Sequence, residues 1–257
     1  MSVPKNWRFF LADSNNQNLV LVDQVEGSKP RPWAKHKIYT DLIAGSYRRL
    51  SDHYPDLIKK YQALCSCGTW LKFSECGSGC IDGKQLIGAS FCRQRLCPMC
   101  QWRRSLLVAG QVAQVCQEVN CRQPVRFLFL TLTVRNCNAE DLPGTITHLN
   151  KSYAKLIRRK RIKDHVLGSF RGLEVTAPGP DDYHPHLHVL LAVSPGYFKA
   201  GYIKQAEWVQ LWSRAAGLDY TPVIDVRAVK PGPGRGGISG AAAESAKYAV
   251  KPADLIG

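Results

Sequence analysis

Tyr183-His184-Pro185-His186-Leu187-His188-Val189-Leu190-Leu191-Ala192-Val193 places three of the chain's seven histidines within five residues and follows them with an apolar run. From residue 187 to 193 the composition is that of a strand. Side chains alternate across a strand, so His186 and His188 share one face while Leu187 and Val189 share the other. Two imidazoles side by side make half a metal site, short of a carboxylate and an open position. The competing reading is a pair of surface or cross-strand-paired histidines.

Immediately upstream, residues 167–176 read as a second strand with Glu174 inside the apolar stretch Leu173-Glu174-Val175. The turn-forming residues 177–182 join the two strands as a hairpin. A carboxylate inside a strand is costly unless it is paired or metal-bound. The hairpin can set Glu174 across from the histidine pair, a donor set suited to magnesium or manganese.

Residues 126–135, RFLFLTLTVR, give the clearest strand: Leu128, Leu130, Leu132 and Val134 fill one face, Phe127, Phe129, Thr131 and Thr133 the other. A helix is expected over 145–163, ending in the basic run Arg158, Arg159, Lys160 and Arg161, where the macrodipole favours cations. A helix over 204–216, a strand over 222–229, a Gly- and Pro-rich loop over 230–240 and a final helix over 241–251 complete the series. Strand, helix, strand, strand, helix, strand is the order of a ferredoxin-like or RRM-like antiparallel sheet, an α+β architecture.

The last helix carries Glu244, Lys247, Tyr248 and Lys251. Glu244 and Tyr248 are four apart and share a face, with Lys251 close to it. A lysine-flanked tyrosine with a carboxylate one turn back can serve as a covalent nucleophile. The same spacing also describes an ordinary amphipathic helix.

The net charge of +15 points to a polyanionic partner, most often nucleic acid. No apolar run is long enough to span a membrane, and the N-terminus lacks the apolar core of a signal peptide, so a cytoplasmic protein is expected. Seven of the ten cysteines lie between Cys65 and Cys100. In a cytosolic protein such a cluster argues for metal rather than disulfides. Cys97-Pro98-Met99-Cys100 is a zinc knuckle. Cys92 and Cys67 are the first choice for the other two ligands, and Cys65, Cys76 and Cys80 could replace one of them or build a second site. Cys116, Cys121 and Cys137 are read as plain thiols. Arg93, Arg95, Arg103 and Arg104 flank the knuckle as a patch suited to phosphate contacts, or as a solvated face. The organisation expected is an irregular arm over 1–38, a helical zinc-binding module over 39–121 and a third domain over 122–257. Within the module, helical patterns run over 39–64 and 101–119.

Taken together, His186-Leu187-His188, the strand Phe129-Leu130-Thr131-Leu132-Thr133 and Glu244-x-x-Lys247-Tyr248 resemble the motifs of the HUH endonucleases. The nearest resemblance is to the single-tyrosine initiator proteins of bacterial rolling-circle plasmids, and FCRQRLCPMCQWRR resembles the segment upstream of their nuclease core. The likeness spans about residues 60–254. It implies an HUH fold for 122–257 and a catalytic divalent ion, Mn2+ or Mg2+, on His186, His188 and Glu174. It implies Tyr248 as nucleophile forming a 5′-phosphotyrosine and freeing a priming 3′-OH. Glu244 would assist the terminal cleavage, and Lys247 or Lys251 would steady the phosphate. His184, beyond the usual pair, is left to support a ligand from behind or to contact DNA. The implied partners are plasmid origin DNA, a host helicase and the replication machinery. Many members of that group run longer than this chain, and the resemblance leaves open a further C-terminal binding segment. The alternatives are an HUH transposase of an insertion sequence, disfavoured by Glu244, and a non-catalytic zinc-dependent nucleic-acid-binding protein.

Overall fold

A computed structural model describes residues 9–11, 32–75, 84–230 and 237–247 of the 257. The chain divides into two compact units between Arg103 and Arg104.

The first unit contains β1 (Phe9–Leu11), α1 (Trp33–Leu50), α2 (Leu57–Cys65), β2 (Trp70–Glu75) and β3 (Lys84–Ala89), then the first turns of α3 (Pro98–Arg122). The three strands pair antiparallel in the order β1-β2-β3. Trp33, Ile43, Leu64, Leu71, Met99 and Trp102 are buried together with Cys67 and Cys97. The sequence placed the helix start at residue 39 and read 1–38 as irregular; α1 instead begins at Trp33. That residue anchors the helix by packing edge-on against Trp102 with ring centres 4.7 Å apart, and His36, one turn on, stacks on the same indole at 4.6 Å. The strand pair β2–β3 was not anticipated, because its alternation is only a few residues deep.

The second unit holds the rest of α3, then β4 (Arg126–Thr133), α4 (Leu142–Ile157), α5 (Lys160–Lys163), β5 (Val166–Gly179), β6 (Asp182–Val193), α6 (Gln205–Ala216), β7 (Ile224–Ala228) and α7 (Ile238–Ser245). The four strands form one antiparallel sheet in the order β5-β6-β4-β7. Second, third, first, fourth is the ferredoxin-like order that the element sequence called for. Leu128, Leu130 and Leu132 of β4 and Leu187, Val189 and Leu191 of β6 bury one sheet face against Leu149, Tyr153 and Leu156 of α4 and Trp208 and Trp212 of α6. On the opposite face Phe127, Phe129 and Leu190 pack with Cys116 of α3 and Ala241 of α7.

Among the boundaries that differ from expectation, three bear on the candidate residues. The helix over 145–163 is two helices, because Arg159 takes an extended conformation between α4 and α5. The basic run therefore does not form one helical end: Arg158 caps α4, and Lys160 and Arg161 begin a new turn. The last helix stops at Ser245, with Ala246 as its C-cap, instead of running to 251. Finally, β6 begins at Asp182 and contains Pro185. The ladder from β4 ends at Thr133 opposite His186, so the proline's missing N–H removes no bond from that ladder.

Candidate metal centres

Register builds the first centre. Glu174 of β5 stands opposite His186 of β6, and Thr131 of β4 stands opposite His188. All three prospective ligands are nearly inaccessible: Glu174 is 4 % exposed, His186 8 % and His188 7 %. Glu174 Oε2 lies 2.9 Å from His188 Nε2 and 3.5 Å from His186 Nε2. The three ligand atoms all fall within 4.8 Å of one another.

Hydrogen bonding fixes which atoms face inward. His186 Nδ1 is 3.1 Å from the carbonyl oxygen of His184, a group that only accepts, so Nδ1 carries the proton and donates it. In the neutral ring Nε2 is then a lone pair aimed at a carboxylate oxygen. Two acceptors meeting in a dry place demand a cation or a proton between them. His188 Nδ1 meets Thr131 Oγ1 at 3.3 Å. The donor set, two imidazole nitrogens and one carboxylate with other positions free, fits a six-coordinate divalent ion.

α7 lays a second carboxylate beside this group. Glu244 Oε1 is 3.8 Å from His188 Nε2 and 2.5 Å from Lys247 Nζ. The helix sits this close because its buried side chains are Ala241, Ala242 and Ser245 and because β5 has Gly172 beneath it, in register with His188. A β-carbon on Gly172 would overlap the Ser245 carbonyl oxygen. Tyr248 and Lys251 lie outside the described residues. His184 is not one of the three ligands but adjoins them, its ring centre 5.2 Å from that of His186; its Nδ1 is 2.7 Å from Asn136 Oδ1, and Asn136 in turn donates to Asp182. Burial, followed by the charge of His186, holds the His184 pKa below its ordinary value. Thr131 and Asn136 were not singled out from the sequence. Thr131 already lay on the Phe129 face of its strand, the signal that could have found it.

The second centre lies in the first unit. Cys67, Cys92, Cys97 and Cys100 gather their sulfurs, with Cys67–Cys97 at 3.5 Å, Cys67–Cys100 at 3.6 Å and Cys92–Cys100 at 3.7 Å. Tetrahedral zinc with Zn–S of about 2.3 Å puts sulfurs roughly 3.8 Å apart, so the spacing fits. Hydrogen bonding with Cys100 leads in driving Cys97 toward the thiolate and in pushing Cys67 up. Four thiolates this close repel unless a cation sits among them, which is the electrostatic case for a metal. Met99 N donates to Thr40 Oγ1, and Arg93, held at φ 57°, donates its N–H to Cys100 Sγ at 3.2 Å. Cys65 is exposed and stands outside the four, while Cys76 and Cys80 lie outside the described residues.

The arginine candidates divide by environment. Arg93, Arg95, Arg104 and Arg158 are exposed, as is Lys160. Arg103 lies over the Trp33 and Trp102 rings at 5.3 and 5.8 Å, and Arg161 is tied to Glu207 at 2.9 Å. Arg159 is only partly exposed.

Sheet and site together define a class: an α+β protein whose ferredoxin-like sheet displays a His-x-His pair and a carboxylate on one face, joined to a four-cysteine module. The family follows from comparison. A family model described as "Replication protein" matches residues 83–256. The chain is 42% identical over 220 residues to a "Protein rep" of Bacillus amyloliquefaciens, covering 84% of this chain and 64% of that protein. It is 38% identical over 245 residues to a "Protein rep" of Streptococcus pneumoniae serotype 2, covering 93% and 74%. A "Protein rep" of Lactiplantibacillus plantarum is 39% identical over 244 residues, covering 92% and 74%. The chain belongs to this family of replication proteins, as the motif resemblance implied. It spans about two thirds to three quarters of the length of these relatives. No solved structure matches it. Among the described residues no helix is long and apolar enough to cross a membrane.

Proposed function

We propose that the protein initiates rolling-circle replication of a plasmid by nicking one strand of its origin and rejoining ends at termination, as an HUH endonuclease acting in the cytoplasm. The observation that carries this reading is the convergence of Glu174, His186 and His188 on one dry point, with Glu244 3.8 Å from His188.

Glu174, His186 and His188 would hold Mn2+ or Mg2+, which when bound polarises the scissile phosphate. Tyr248, four residues after Glu244, supplies the nucleophile. Its phenolic oxygen gives up its proton and bonds to phosphorus, the P–O3′ bond breaks, and the departing 3′ oxygen takes up a proton, so the step has no net proton change. The products are a 5′-phosphotyrosine and a 3′-OH that primes synthesis. Glu244 is the base that takes a proton from water in the terminal cleavage. Lys247, paired with Glu244 at 2.5 Å, and Lys251 balance charge around the phosphate. Cys67, Cys92, Cys97 and Cys100 would hold structural zinc, closed to chemistry and needed for the fold of their unit. The exposed Arg93, Arg95, Arg104, Arg158 and Lys160 would meet the backbone of origin DNA. A host helicase would open the duplex ahead of synthesis.

The test is incubation of the protein with single-stranded origin oligonucleotides and Mn2+. A protein–DNA adduct that survives denaturation and disappears in Tyr248→Phe is the expected result. No adduct with any origin-derived strand overturns the reading.

A further inference from the structure

We infer that Thr131 is a positioning residue for the divalent ion, its hydroxyl holding the His188 ring so that Nε2 faces the ion. The inference rests on the reading of Glu174, His186 and His188 as metal ligands. Thr131 is directly across from His188 in the β4–β6 ladder, and Oγ1 lies 3.3 Å from Nδ1. At the other end of the ring Nε2 lies 2.9 Å from Glu174 Oε2.

The two histidines are held by different kinds of group. His186 Nδ1 faces a backbone carbonyl, which only accepts. His188 Nδ1 faces a hydroxyl, which accepts or donates as its O–H rotates. Without the ion, Nε2–H donates to Glu174 and Nδ1 needs a donor. With the ion on Nε2, Nδ1 carries the hydrogen and needs an acceptor. Thr131 satisfies both states without moving a heavy atom, so the ring keeps its place through loading. The ring is 7 % exposed and is flanked by Phe129 at 5.6 Å between ring centres, leaving bulk water little part in the exchange. Such outer partners of metal-bound histidine are typically worth 10- to 100-fold in metal affinity.

The experiment measures Mn2+ affinity, from the free-ion paramagnetic resonance signal, for the full chain and for Thr131→Val, Thr131→Ser and His188→Ala. Near-ultraviolet dichroism checks the fold. Thr131→Val keeps the β-branch and loses the hydroxyl, and its affinity is expected to fall roughly 10- to 100-fold, while Thr131→Ser stays within about threefold. Thr131→Ala replaces the valine variant should the latter not fold. Hydroxyl-free variants that bind as the parent does, while His188→Ala has lost binding, overturn the role of Thr131 alone. Parental affinity in His188→Ala overturns the metal-site reading and this inference with it.

Discussion

Replacing Gly172 by valine tests how α7 is seated. The Ser245 carbonyl oxygen occupies the space a β-carbon would need, so the helix end must retreat by about 1 Å to reach the closest approach a Cβ tolerates. Glu244 is the neighbouring residue and moves with it, away from its 3.8 Å approach to His188. A misplacement of about 1 Å at a reacting centre costs on the order of 100-fold in rate. The metal ligands sit on β5 and β6, whose pairing does not involve α7, so Mn2+ affinity should change by no more than about threefold by the same geometry. The assay is single-turnover adduct formation on an origin oligonucleotide, run beside an Mn2+ titration. Adduct formation within about threefold of the parent rate, under conditions where the parent reacts, refutes the reasoning: α7 would then not need its close seat.

Two further predictions concern the first unit. Purified protein should carry close to one zinc per chain on the four described cysteines, and Cys97→Ser should lose it together with the near-ultraviolet dichroism of Trp33 and Trp102; unchanged metal content in that variant refutes the ligand set. His36 is 7 % exposed, and burial, then Lys35, hold its pKa down to about 4. The unfolded chain takes up that proton first, so the contribution to stability is complete above about pH 6.5 and is lost as pH falls toward 4. At pH 5 the loss is about 2 kcal/mol. Denaturant unfolding of the parent and His36→Phe at pH 7 and pH 5 measures it, and equal pH dependence of the two would remove His36 from the account.

The legible parts of the chain were those where burial imposes a simple period. β4 announced both faces through alternation, and the 177–182 turn announced the β5–β6 hairpin, so Glu174 could be set across from the histidine pair, while its register with His186 in particular could not. The C-x-x-C knuckle was equally plain, since two thiolates at that separation leave few alternatives. What stayed hidden depends on partners far away in sequence. Trp33 starts α1 because Trp102 is there to receive it. The pattern Glu244, Tyr248, Lys251 continues a helical period past Ser245, yet α7 stops at that residue, in contact with Gly172. Thr131 looked like any threonine in a strand until His188 stood opposite.

Among the described residues the sheet order leaves β5, fourteen residues long, as an end strand. A long free edge is a template on which another chain can pair, and both ends of this one are blunted by breaks in register, at Val166/Gly168 and Thr176/Gly179. Exposed Arg171 between them puts a cation on the strand, and the chain's net charge of +15 makes any two copies repel. Salt screens both charge effects and leaves the breaks in register intact, so colloidal behaviour at high ionic strength reports on the edge geometry.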